Sequence, residues 1–174
     1  MENKQGFEQL NKINVNDMTE KKNGLTYLSW AHAWAEFCKI FPNATYEVKM
    51  FDGKPYVFDE NLGYMVFTTV HTGTDEDPKS MQLPVMDGAN KAQKNVSYTY
   101  KVKEYKDGKW TGSFTDKTVE QATMFDINTA IMRCMVKNLA MYGLGLYIYQ
   151  GEDLPDDGLD HSQDLPKVTG TRRI

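Results

Sequence analysis

Cysteine is scarce in this chain: only Cys38 and Cys134 are present, far apart and each inside an expected helix. Two lone thiols make no disulfide framework, and small buried side chains are the plain reading. His32, His71 and His161 are scattered, with no His-x-x-x-His pair and no cysteines at metal-ligand spacing. That excludes the usual zinc sites. No GxxxxGKS/T loop occurs, so a P-loop nucleotide site is excluded. Gly143-Leu144-Gly145 follows a helix instead of opening one, which rules out a dinucleotide fingerprint. The longest uncharged apolar run, Leu139–Gln150, is too short to span a bilayer and is interrupted by glycine. The opening MENKQGFEQL lacks the apolar core of a signal peptide. A soluble cytoplasmic protein with no membrane role is expected. Acidic residues leave a metal nuclease open, but Asp75-Glu76-Asp77 reads as a loop and no carboxylate cluster falls on strand positions. The expectation is a protein without catalysis or cofactor.

What is present suits one ordinary globular domain: 174 residues, 40% apolar and 25% charged, with 12% aromatics. The net charge of −4 speaks against a polyanion partner. Its distribution speaks the other way. Residues 1–90 carry a balance of −5, residues 91–137 a balance of +4, and residues 138–174 a balance of −3. A local positive field matters more to an anionic ligand than the total does.

Residues 1–24 read as a polar, loosely held arm, residues 25–151 as the folded domain, and residues 152–174 as an acidic, disordered tail. Within the domain, Ser29 is placed to cap a helix reaching about Phe41, with an apolar stripe of Ala31, Trp34, Ala35, Cys38 and Phe41. Asp52-Gly53 lies between TYEVKMF and KPYVF, a hairpin signal. YMVFTTVHT and SMQLPVM read as a second antiparallel pair, and Asp107-Gly108 as the turn of a third. Val119–Tyr142 reads as a long second helix, ended by Gly143. The order predicts an α+β fold, an antiparallel sheet with hairpins packed against two main helices.

Three groups of residues could hold an anion. The second helix is apolar along Ile127, Ala130, Ile131, Cys134, Met135, Leu139 and Tyr142, yet carries Arg133 and Lys137 one turn apart on one face. Spacing alone favours cations that snorkel to solvent or pair with carboxylates; the alternative is a fixed anion site. In the third hairpin, alternation puts Tyr98 and Tyr100 on a core face and Lys101, Lys103 and Tyr105 on the other. A two-residue turn would set Tyr105 opposite Trp110 and Lys101 near Phe114. Lysines beside rings are the grammar of single-strand binding; a cross-strand aromatic pair with edge-guarding lysines fits equally. Lys91 and Lys94, in DGANKAQKN, are either loop cations for phosphate or simply solvated.

Two longer motifs, Gly24–Trp34 (GLTYLSWAHAW) and Met124–Pro155 (MFDINTAIMRCMVKNLAMYGLGLYIYQGEDLP), with LPVMDGANKA as a third, resemble phage single-strand annealing proteins of the Sak type. The resemblance covers roughly residues 24–155. That family is remotely similar to the eukaryotic annealing mediators, which form rings and hold single strands in a groove. The resemblance implies an annealing-mediator-like fold, ATP-independent binding and annealing of single-stranded DNA in phage recombination, and homo-oligomers, ring or helical. It also implies partners among phage or host replication and recombination proteins. Lys137 stands at the relatives' backbone-contacting spacing before Tyr142-Gly143, and Arg133 matches the basic character of the same helix. The eukaryotic relatives carry a second basic residue between Lys137 and the glycine, where this chain has Asn138, Leu139, Ala140 and Met141. Lys91, Lys94, Lys101, Lys103, Tyr105 and Trp110 would supply the remaining contacts. A single-strand-binding protein without annealing activity and a protein-interaction module are the rival classes.

Overall fold

The computed structural model describes residues 2–22, 25–75 and 78–149. Its organising element is helix α3, Met124–Ala140. Thr123 and Asp126 close its first turn reciprocally: the Asp126 carboxylate accepts from the Thr123 amide at 2.8 Å, and the Thr123 hydroxyl accepts from the Asp126 amide at 3.4 Å. The expected stripe is buried in full, from Ile127 through Tyr142. The helix begins five residues later than the sequence suggested, because the preceding strand runs through to Val119.

One face of α3 lies on a four-stranded antiparallel sheet. Its strands are β3 (Thr45–Val48), β4 (Val57–Asp59), β5 (Gly63–His71) and β6 (Lys79–Pro84). β5 is central. β6 runs along one edge, while β3 and β4 share the other edge, pairing with Val48↔Thr68 and Val57↔Met65. The Asp52-Gly53 turn forms, with positive φ at both residues and reciprocal backbone bonds between Phe51 and Lys54. The hairpin expected around it does not propagate, since each flanking strand finds the longer β5. Between α3 and the sheet sit Val66, Leu83, Val85, Ile127, Ala130, Ile131 and Cys134.

The opposite side of α3 meets α2 (Trp30–Ile40) and, through it, α1 (Glu2–Asn11). The buried residues of α2 are Ala33 and Phe37, whereas Ala31 and Ala35 are exposed and Cys38 is only half-buried. The α2 stripe expected from the sequence is therefore rotated: apolar residues encircle this helix, and two stripes were available. Ser29 occupies the N-cap position, but its side chain makes no capping hydrogen bond.

The segment expected as a loose arm carries α1 and β1 (Thr19–Lys22), which pairs with β2 (Leu25–Leu28). Leu10 and Val15 are fully buried in the core with Phe37, Met135, Leu139 and Leu144. Gly143 makes that packing possible. Its φ is +110°, and a Cβ there would meet the Phe7 carbonyl oxygen at 2.7 Å. The apolar run after it winds into a short 3₁₀ turn, Leu146–Tyr149. The expected disordered tail, residues 152–174, lies outside the described residues.

β7 (Tyr98–Lys106) and β8 (Lys109–Val119) pair only with each other, and all residues from Lys103 to Thr118 are exposed. This hairpin projects from the body.

Candidate nucleic-acid interface

Arg133 and Lys137 emerge, half-buried, from the edge of the α3 stripe. The Arg133 guanidinium lies 4.6 Å from the centre of the Tyr27 ring, which β2 supplies. The Lys137 ammonium lies 5.3 Å from the centre of the Tyr149 ring, in the 3₁₀ turn after α3. Among the described residues no carboxylate forms a salt bridge with Arg133. Asp126, two turns earlier, is committed to the helix cap. Both cations line a groove of about 470 Å³ between α3 and β6. Its walls include Gln82, Met86, Asn90 and Leu146. Ring stacking removes rotamer freedom from two long side chains and holds their charge at the groove instead of letting it wander into solvent.

Of the four residues between Lys137 and Tyr142, three are buried, and Met141 is exposed at the groove. Asn138 is fully buried, and its amide donates to the Thr68 carbonyl at 3.1 Å and the Lys79 carbonyl at 2.8 Å. Leu139 and Ala140 are buried beside it. Tyr142 is equally structural: its hydroxyl donates to the Val70 carbonyl at 2.8 Å and accepts from the Lys79 amide at 3.0 Å. The Lys79 ammonium sits 4.1 Å over the Tyr142 ring. A charge at position 138 would face the sheet.

Lys91 and Lys94 do not line the groove. Lys91 lies 5.2 Å from the Tyr100 ring centre and Lys94 lies 5.3 Å from that of Tyr98, at the base of the projecting hairpin. Their loop is a built turn: the Asp87 carboxylate accepts from the amides of Ala89 and Lys91 at 2.9 and 2.8 Å. Burial, helped by the nearby Asp87 and Tyr100, raises the Tyr98 hydroxyl pKa above its ordinary value. That hydroxyl donates to the Ala92 carbonyl at 2.7 Å.

On the hairpin, Tyr105 stands opposite Trp110 as expected. The facing of Lys101 and Phe114 is corrected, because Phe114 pairs with Lys103 and Lys101 with Asp116. The shift comes from an irregularity in β8, where Gly112 has φ +87°. Lys103 lies 5.6 Å from the Trp110 ring centre, and Trp110 meets Phe114 edge-on at 6.3 Å. Lys101, Lys103, Tyr105, Trp110 and Phe114 thus form a second, separate exposed basic-aromatic patch, with no residue in the groove's lining. Tyr27 and Tyr149 were not singled out from the sequence. Each lies within one of the two long motifs, but nothing local marks either as the platform for a cation on a different element.

A mixed helix–sheet domain with a cationic groove on its central helix and a basic-aromatic hairpin has the attributes of a nucleic-acid-binding protein. The Sak single strand annealing protein family matches residues 4–172, and the chain belongs to that family. The match takes in most of α1, including the buried Leu10. No curated protein and no solved structure matches the chain. Among the described residues no group of His, Cys, Asp or Glu is placed to hold a metal ion, and no helix is long and apolar enough to cross a membrane.

Proposed function

We propose that this protein binds single-stranded DNA through its phosphate backbone along the Arg133–Lys137 groove and pairs it with a complementary strand, without ATP, during phage recombination in the bacterial cytoplasm. The observation that carries the reading is the pair of cations seated on Tyr27 and Tyr149 at one concave surface. Fixed positive charge with an open groove suits a backbone ligand and leaves base edges available for pairing. Lys91, Lys94, Lys101, Lys103, Tyr105 and Trp110 extend the contact over the hairpin and its base.

A few phosphate contacts per protomer bind weakly, since each contributes only about −0.7 to the logarithmic salt slope on a single strand. Repetition in a homo-oligomer, ring or helical, turns weak sites into an avid track through effective concentration. Annealing itself is downhill, so no nucleotide hydrolysis is required. Phage or host replication and recombination proteins are the natural partners of such an assembly.

The test is the annealing rate of two complementary labelled oligonucleotides, without nucleotide or metal, at low and moderate salt. Acceleration that fades with salt is the expected result. Binding without acceleration would assign a single-strand-binding protein, and no binding at either salt an interaction module. Metal-dependent cleavage would assign a nuclease.

A further inference from the structure

Arg133 borders a second cavity, on the side of α3 that faces the start of α2. This pocket, about 260 Å³, lies between the start of α2 and the middle of α3. Trp30 forms one wall, and it is 50% exposed although it is the first residue of a packed helix. Leu28, Met132 and Val136 complete an apolar surface, while Ser29, Asn128 and Thr129 give it a polar rim. The Ser29 hydroxyl is not used as the helix cap, and Asn128 and Thr129 are exposed.

We propose that this pocket receives one nucleobase of the single strand whose backbone phosphate lies on Arg133. The proposal rests on the groove reading above and adds a base-binding site to it. Three features select a base. An exposed indole lining a cavity can stack on any base without sequence preference. The rim supplies groups that both donate and accept, as a base edge requires. The volume lies below the ~300–1,000 Å³ of ordinary small-molecule sites, which fits one ring system and not a dinucleotide. Arg133 touches both cavities, so phosphate and base of one nucleotide can be held on either side of a single side chain. A base withdrawn here at intervals would fix the strand's register while its neighbours stay open for pairing.

The experiment compares two strands of equal length and salt on the full chain, oligo(dT) and an abasic sugar-phosphate oligomer. Trp30→Ala is expected to weaken oligo(dT) binding on the order of tenfold, to leave abasic binding unchanged, and to be largely rescued in Trp30→Phe. Arg133→Ala is expected to weaken both strands. A parent chain that binds neither strand would overturn the groove reading and the pocket together. A parent that binds both, with Trp30→Ala without effect or equally harmful to both, would overturn the pocket alone. Loss of the oligomer in Trp30→Ala, read by light scattering, would instead assign the pocket to a subunit contact. Should Trp30→Ala fail to fold, photocrosslinking of the parent chain to an oligonucleotide containing 5-iodouracil decides the matter. A crosslink at Trp30 supports the pocket, and crosslinks confined to other residues overturn it.

Discussion

The guanidinium of Arg133 stacks on Tyr27 at 4.6 Å, joining the central helix to a strand more than a hundred residues earlier in the chain. Together with Lys137 on Tyr149, it makes the groove a fixed electrostatic feature. Arg133→Ala and Lys137→Ala are each expected to weaken single-strand binding and to reduce the magnitude of the logarithmic salt slope by about 0.7. Both side chains sit at the edge of the buried stripe, so circular dichroism should report an intact fold. Unaltered affinity and slope in both variants would exclude the groove as the binding site.

The hairpin gives an independent prediction. Trp110→Ala should lose about 1–3 kcal/mol of single-strand affinity if the ring stacks on bases. Because Trp110 is exposed, thermal stability should hardly move. An affinity equal to the parent's would leave Trp110 and Phe114 as a cross-strand pair that only stiffens the hairpin.

Asn138→Leu should destabilise the fold by about 1–3 kcal/mol, because the amide that ties α3 to the carbonyls of Thr68 and Lys79 is removed. The readout is the denaturant midpoint at constant m-value. A neutral result would mean that the apolar replacement compensates fully for those two bonds.

Gly143→Ala combines an unfavourable backbone with a collision against the Phe7 carbonyl. A cost of at least about 1–3 kcal/mol is expected from the strained conformation alone. Exchange protection should fall first in α1, whose packing Gly143 permits. Uniform loss across the domain would show that α1 and α3 unfold together.

Cys134 bears on pH dependence. Burial raises its pKa, partly offset by the hydrogen bond from Thr68 and the charge of Lys137. A thiol whose folded pKa lies above the unfolded value of about 9.0 favours the native state through its neutral form. Its contribution is therefore complete below pH 9.0 and is lost as pH rises through the folded pKa. Native Cys134 should resist alkylation at neutral pH, while the half-buried Cys38 reacts sooner. A Cys134→Ala chain should show a weaker decline in stability above pH 9.0 than the parent.

Periodicity carried part of the fold. On α3 the apolar residues recur at helical spacing, so the buried stripe and its two border cations were legible, although Asn138 is buried and Phe125 is exposed against that pattern. On α2 alanines and aromatics surround the helix, and only contact with Phe41, Tyr142 and α1 selects Ala33 and Phe37 as the buried pair. Asp107-Gly108 named its hairpin correctly because both strands are long and have no other partner. Asp52-Gly53 named a turn but not a pairing, since β5 outcompeted the local partner for both flanking strands.

By itself, then, the sequence determined the α+β class, the central helix with its glycine end, the charge pair on that helix and the basic-aromatic hairpin. These follow from spacing, turn chemistry and side-chain type within a few residues of one another. Tertiary structure alone decided that α1 belongs to the core, that Asn138 is a buried tie, and that Tyr27, Tyr149 and Trp30 surround Arg133 and Lys137. The physical reason is distance along the chain: a cation and the ring that holds it are joined only when three separate elements pack, and no local pattern encodes that meeting.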